Sequence, residues 1–129
     1  MPLFIVISLL LNPPANPAIL SVPVAVAAPL TKEDLIVLAS TTARAYGLNV
    51  DHFIKTIGCE SQWNPEAVGD NGTSFGLAQL HYPSRDWGIA TSSAFDPYTA
   101  IQIMAKAWQQ GFATRWSCYN ILYERNWKS

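Results

Sequence analysis

The stretch CESQWNPEAVGDNGTSFGLAQ, residues 59–79, sets one glutamate beside a cysteine and follows it with a loop rich in turn formers. Just upstream, Phe53, Ile54 and Ile57 supply the buried face of a helix that begins near Asn49 or Asp51 and runs to about Ser61. Pro65 prevents its extension, because a proline ring clashes with the preceding turn and donates no hydrogen bond. Glu60 therefore falls in the last helical turn, where the helix dipole disfavours negative charge. That position and partial burial both raise a carboxyl pKa. Downstream, GDNGTS (residues 69–74) is a turn signal that predicts a short hairpin or tight loop. FGLAQL (residues 75–80) fits one helical turn, and HYPSRDWG (residues 81–88) reads as loop, with Asp86 a loop acid.

Working outward, TKED (residues 31–34) opens an earlier helix, with Thr31 as N-cap and acids in the first turn. Leu35, Leu38, Ala39, Thr42, Ala43 and Tyr46 form its apolar stripe, and Gly47 stops it. Residues 96–111, DPYTAIQIMAKAWQQG, carry the clearest helix, with Asp96 as cap, Pro97 at the first helical position and Gly111 as terminator. Its stripe is Ala100, Ile103, Met104, Ala107 and Trp108. A last helix is expected over residues 113–123, with Trp116, Cys118, Tyr119 and Leu122. The runs of Val, Ile and Thr that a substantial sheet requires are absent. The expected class is mainly α, about five helices, with at most a short β-hairpin at residues 68–76.

The chain has 129 residues, enough for one domain, and a net charge of −1 with both signs interspersed. A nucleic-acid binder needs a clustered basic face, so that class is excluded. Apart from Phe4, every aromatic residue lies at or beyond Tyr46, and all five tryptophans fall between Trp63 and Trp127. Core packing accounts for most of them; indole and phenol rings also stack on sugars.

Residues 1–31 contain no charged side chain. LFIVISLLL (residues 3–11) has the length of a signal-peptide apolar core and is too short to span a bilayer. Pro13, Pro14, Pro17 and Pro23 break its continuation, and AVAAP (residues 25–29) offers cleavage after Ala27 or Ala28. No Lys or Arg precedes the apolar run. A secretory signal is the preferred reading of residues 1–28, with an uncleaved N-terminal anchor or an apolar arm as alternatives. Any membrane association would run through this segment alone. The folded domain is then residues 29–129. In an exported chain its two cysteines, Cys59 and Cys118, are expected to form a disulfide; two buried free thiols are the alternative. No pair among these cysteines, His52 and His81 has zinc-ligand spacing, so no metal or cofactor is expected.

A glutamate at a helix end, kept protonated by apolar surroundings, can donate to a leaving oxygen. Glycosidic-bond cleavage needs such an acid. A bridge from Cys59 to Cys118 would pin the residue before Glu60 to the last helix. The bland alternative is a solvated helix-end carboxylate. The order of residues favours the first reading. Glu60-Ser61, then Asn64-Pro65, then Ser74-Phe75-Gly76-Leu77-Ala78-Gln79 resembles the soluble lytic transglycosylase domain of the lysozyme-like superfamily. Its pattern is Glu-Ser, a short spacer with Asn-Pro, then Ser-x-Gly-Leu-x-Gln. FDP and AIQIMAKAW, within residues 95–108, look like the helix that follows in that family. The resemblance covers roughly residues 31–122.

The resemblance implies a small lysozyme-like fold that cleaves peptidoglycan glycan strands as a secreted or periplasmic monomer. Glu60 matches the sole catalytic acid/base. It would protonate the oxygen between N-acetylmuramic acid and N-acetylglucosamine, then deprotonate the muramic 6-hydroxyl, giving a 1,6-anhydro product without water. Ser61 matches a serine that supports the local geometry. Ser74, Gly76 and Gln79 match the cleft loop, Gln79 facing the sugar; ordinary turn and helix-cap bonding is the alternative for Ser74 and Gln79. Tyr119-Asn120 only partly matches a late family segment, since no Ala-Gly follows, and Tyr119 is carried as a substrate-binding partner of Glu60. The domain is short for the family. A hydrolytic muramidase would need a second carboxylate opposite Glu60, for which Asp70 is the candidate; the GDNG turn also explains Asp70 through side-chain bonding to its own backbone. A non-catalytic peptidoglycan-binding or assembly protein is the third reading.

Overall fold

The structure is a computed structural model that describes residues 28–82 and 87–124. Residues 1–27 of the expected signal segment, Asp86 and Trp127 lie outside the described residues. The chain divides into two units, Met1–Leu30 and Thr31–Ser129, and every described element belongs to the second. These are α1 (Lys32–Ala45), α2 (Val50–Ser61), β1 (Val68–Gly69), β2 (Ser74–Phe75), β3 (Leu80–His81), a 3₁₀ turn (Thr91–Phe95), α3 (Pro97–Gln109), a second 3₁₀ turn (Ala113–Arg115) and α4 (Ser117–Tyr123). The fold is mainly α with one small antiparallel sheet, strand order β1-β2-β3. No helix among the described residues is long and apolar enough to cross a membrane.

The helix starts follow from capping chemistry. Thr31 Oγ1 accepts from the Asp34 N–H at 3.1 Å while Asp34 Oδ2 accepts from the Thr31 N–H at 2.8 Å, a reciprocal box that satisfies two otherwise orphaned donors. Asn49 Oδ1 accepts from the His52 N–H, and Asp96 Oδ2 from the Thr99 N–H, one at each of the next two helix starts. The stripes then meet in one core. Leu35, Ala39 and Ala43 of α1 pack with Phe53 and Ile57 of α2 and with Ile101, Met104 and Trp108 of α3, all buried. Phe53 meets Trp108 edge to face at 5.2 Å between centroids. Each threonine or serine buried in α1 and α2 donates to the carbonyl four residues back, so none is left unpaired: Thr42 to Leu38, Thr56 to His52 and Ser61 to Ile57.

The class is as expected, but the sheet has three strands reaching His81 instead of a hairpin within residues 68–76, and the described residues hold four α-helices instead of about five. Residues 75–80 do not make a helical turn. Phe75 closes β2, residues 76–79 reverse the chain, and Leu80 opens β3, with Ser74 paired to His81 and Phe75 to Leu80. Gly76 is the reason. Its φ is +80°, outside the helical region, and a Cβ there would sit 1.9 Å from the Ala94 carbonyl oxygen. Gly76→Ala is expected to lower unfolding free energy by about 2 kcal/mol or more, read from urea unfolding, because both the φ and the contact must relax. The helix expected over residues 113–123 is split. Trp116 is extended (φ −96°, ψ 123°) between the second 3₁₀ turn and α4, and its indole Nε1 donates to the Ala78 carbonyl at 2.7 Å. That buried bond fastens the cleft loop to the C-terminal segment.

Candidate active site

Three pieces of chain meet at a cleft of about 490 Å³: the end of α2, the sheet with its turns, and the segment entering α4. Its walls carry Glu60, Asp70, Asn71, Thr73, Ser74, Gln79, His81, Trp87, Arg115, Trp116 and Ser117.

Glu60 is half-buried in the last turn of α2. Its Oε1 accepts from the Cys118 backbone N–H at 3.0 Å, one of the orphan donors at the start of α4. Among the described residues its Oε2 has no protein partner, which leaves that oxygen for a ligand. The carboxyl pKa is raised, chiefly because burial penalises the charged form; the Asp70 charge adds to this, and the Cys118 N–H opposes it. The disulfide joins Cys59 to Cys118, with Cα atoms 5.9 Å apart. The residue before Glu60 and the residue that bonds its carboxyl are thus covalently linked. The chain leaves α2 through two left-handed residues, Gln62 (φ 50°) and Trp63 (φ 62°), which turn it sharply toward the sheet.

The opposite wall is a polar cluster on the sheet. The Ser74 hydroxyl donates to Asp70 Oδ2, and Ser74 Oγ also lies 2.9 Å from His81 Nδ1. A hydroxyl has one proton, so this pairing requires His81 to carry hydrogen on Nδ1 and donate to Ser74. His81 Nδ1 is 3.7 Å from Asp70 Oδ2. Antiparallel register makes the cluster, since β2 residue Ser74 faces β3 residue His81 directly. The expectation that the Asp70 side chain bonds its own turn is corrected: the turn is closed by the Gly72 and Thr73 N–H groups on the Gly69 carbonyl and the Thr73 hydroxyl on the Asp70 carbonyl. The Asp70 carboxylate faces Ser74 and His81 instead.

Of the residues expected at the site, Glu60, Ser74 and Gln79 line the cleft, and Asp70 joins them. Gln79 is turned partly away from it. Its Nε2 donates to the carbonyls of Ala67 at 3.2 Å and Gly76 at 3.0 Å, clamping the sheet. Ser61 is buried and bonded within α2, and Gly76 faces Ala94; neither lines the cleft. Tyr119 does not line it either; its ring packs edge-on against Trp108 at 5.1 Å and tilted against Tyr123 at 5.4 Å. His81, Trp87, Arg115, Trp116 and Ser117 enter the site without having been singled out for it. Trp87 and Trp116 form the aromatic part of the wall, 5.9 Å apart at 47°. Trp87 Nε1 donates to the His81 carbonyl at 3.1 Å, fixing its ring.

No protein-family model, curated protein or solved structure matches the chain.

Proposed function

We propose that this chain is a peptidoglycan lytic transglycosylase of the soluble, lysozyme-like kind, acting outside the cytoplasm. The observation that carries the reading is Glu60, a desolvated carboxyl with one oxygen held by a backbone N–H and the other without a partner among the described residues, set in the wall of an open cleft that Trp87 and Trp116 also line. Such a carboxyl keeps its proton at higher pH than an ordinary one and can deliver it to a glycosidic oxygen. The C1–oxygen bond breaks as that oxygen takes the proton. The resulting carboxylate then removes the proton of the muramic 6-hydroxyl, whose oxygen closes on C1, and Glu60 ends protonated. No water is consumed. The disulfide agrees with an oxidising compartment.

Hydrolysis is the second reading, favoured by one observation. Asp70 lines the same cleft, its carboxylate held by Ser74 and 3.7 Å from His81, and so supplies the second carboxylate that an inverting hydrolase requires. Mass spectrometry of muropeptides released from purified peptidoglycan separates the two. The first gives 1,6-anhydromuramic ends, and Asp70→Asn then retains activity within about tenfold. Reducing muramic ends, with an Asp70→Asn loss of about 10²-fold or more, would replace it with the second. Binding without release of any fragment would replace both with a binding module.

A further inference from the structure

The catalytic cleft does not end at Trp87. A second groove of about 330 Å³ lies beyond it, lined by Trp87, Ile103, Lys106, Ala107, Gln110 and Arg115. Trp87 and Arg115 line both, so the two adjoin at one indole ring. The charge on this extension is unlike that of the chain as a whole. Acids outnumber bases nine to eight overall, yet among the described residues the groove's lining has two cations and no acid. The ion pairs of the described residues are Lys55 with Asp51 and His81 with Asp70, so neither Lys106 nor Arg115 has an acidic partner among them. Arg115 is also placed: its guanidinium carbon sits 3.7 Å from the centre of the Phe112 ring, which orders the side chain without occupying all its donors. The groove lies near the C-terminal end of α3, whose dipole contributes roughly half a negative charge. Two full positive charges outweigh it.

We propose that this groove is a subsite for a carboxylate carried on the glycan strand, with Lys106 and Arg115 pairing the anion while Trp87 bears the sugar ring that connects it to the cleft. The assignment rests on the peptidoglycan reading and deepens it. Peptidoglycan strands bear peptide stems that end in carboxylates, whereas a neutral β-1,4 glycan such as a chitin oligosaccharide has none. Lys106 then discriminates between strands of equal ring chemistry, and acts on binding and not on bond cleavage.

The test measures binding and cleavage separately. The binding arm uses the full chain carrying Glu60→Gln, titrated with soluble peptidoglycan strands whose carboxylates are free and with the same strands after amidation. Lys106 is exposed, so Lys106→Gln leaves the core untouched. The expected result is at least fivefold tighter binding of the free-carboxylate strands, reduced to under twofold by Lys106→Gln, with the preference decaying as salt is raised. Equal affinity for both strands, or a preference that Lys106→Gln leaves unchanged, overturns the subsite. The cleavage arm uses the otherwise unsubstituted chain. Lys106→Gln is expected to raise KM on free-carboxylate strands several-fold at constant kcat. A fall in kcat instead overturns the binding role. If neither strand is cleaved, the enzymatic reading falls, and the binding arm still decides the subsite.

Discussion

Glu60→Gln is expected to lower kcat on purified peptidoglycan by about 10³-fold or more, with the fold intact. Glutamine has nearly the shape of a protonated glutamate, and its side-chain carbonyl can still accept the Cys118 N–H. It has no proton to give and cannot become a base, so both halves of the proposed reaction lose their catalyst at once. The same geometry sets an expected pH dependence. Because burial raises the carboxyl pKa, the form that donates a proton persists above the ordinary carboxyl range. Activity should fall as pH rises through that raised value. Stability moves with the same sign. A raised folded-state pKa means that the native protein holds this proton more tightly than the unfolded chain does. The associated stabilisation is complete below the ordinary carboxyl value of 4.5 and is lost as pH rises through the folded value. Glu60→Gln removes that loss. The variant should melt a few degrees above the parent chain at pH 8, with no such advantage at pH 4. Residual cleavage within tenfold of the parent would remove Glu60 from the mechanism, and a lower melting temperature at pH 8 would contradict the burial argument.

A stable but inactive Glu60→Gln protein would also explain why the acid could be found in the sequence at all. Pro65 and the stripe of Phe53 and Ile57 fix where α2 ends, so Glu60 had to lie in its last turn. The other wall of the cleft was harder to read. The Ser74–His81 pairing depends on strand register, and that register depends on residues 76–79 reversing the chain instead of coiling. Gly76 is compatible with both. In the fold Gly76 takes a positive φ and lies against the Ala94 carbonyl, eighteen residues away in sequence, which leaves no room for a side chain there. No local pattern encodes that contact. The same holds for Trp116. Its place in an apolar stripe suggested a continuous helix, whereas the hydrogen bond to the Ala78 carbonyl holds it extended. Once residues 76–79 are taken as the reversal between two short strands, counting outward from it places His81 opposite Ser74. Asp70, by contrast, was visible as a candidate from the turn, but its carboxylate partner could be known only after the register was.

Breaking the Cys59–Cys118 bridge is expected to produce the largest loss of stability available from a single site, and to damage catalysis even in molecules that remain folded. The bridged residues are 59 apart in sequence, which in the chain-entropy account corresponds to about 4 kcal/mol. A domain of this size has only about 5–15 kcal/mol in total. At roughly 4–8 °C per kcal/mol, Cys59→Ala/Cys118→Ala should melt about 15–30 °C below the parent chain, as measured by circular dichroism. The catalytic effect has a separate origin. α2 and α4 are joined here by two links, the disulfide and the bond from the Cys118 N–H to Glu60 Oε1, and both use the same two-residue stretch of α2. Without the covalent link, the 3.0 Å hydrogen bond and the stacking of His52 on Tyr123, a turn or more from Glu60, are left to aim a carboxyl that burial already disfavours in its charged form. A displacement of about 1 Å at a catalytic group costs about 10²-fold in rate. At a temperature where the variant is still folded, kcat should therefore fall by about that factor with KM little changed, since Trp87 and Lys106 lie on other segments. A folded, bridge-free protein that cleaves at the parent rate would confine the disulfide to stability and show that the Cys118 N–H alone suffices to aim Glu60.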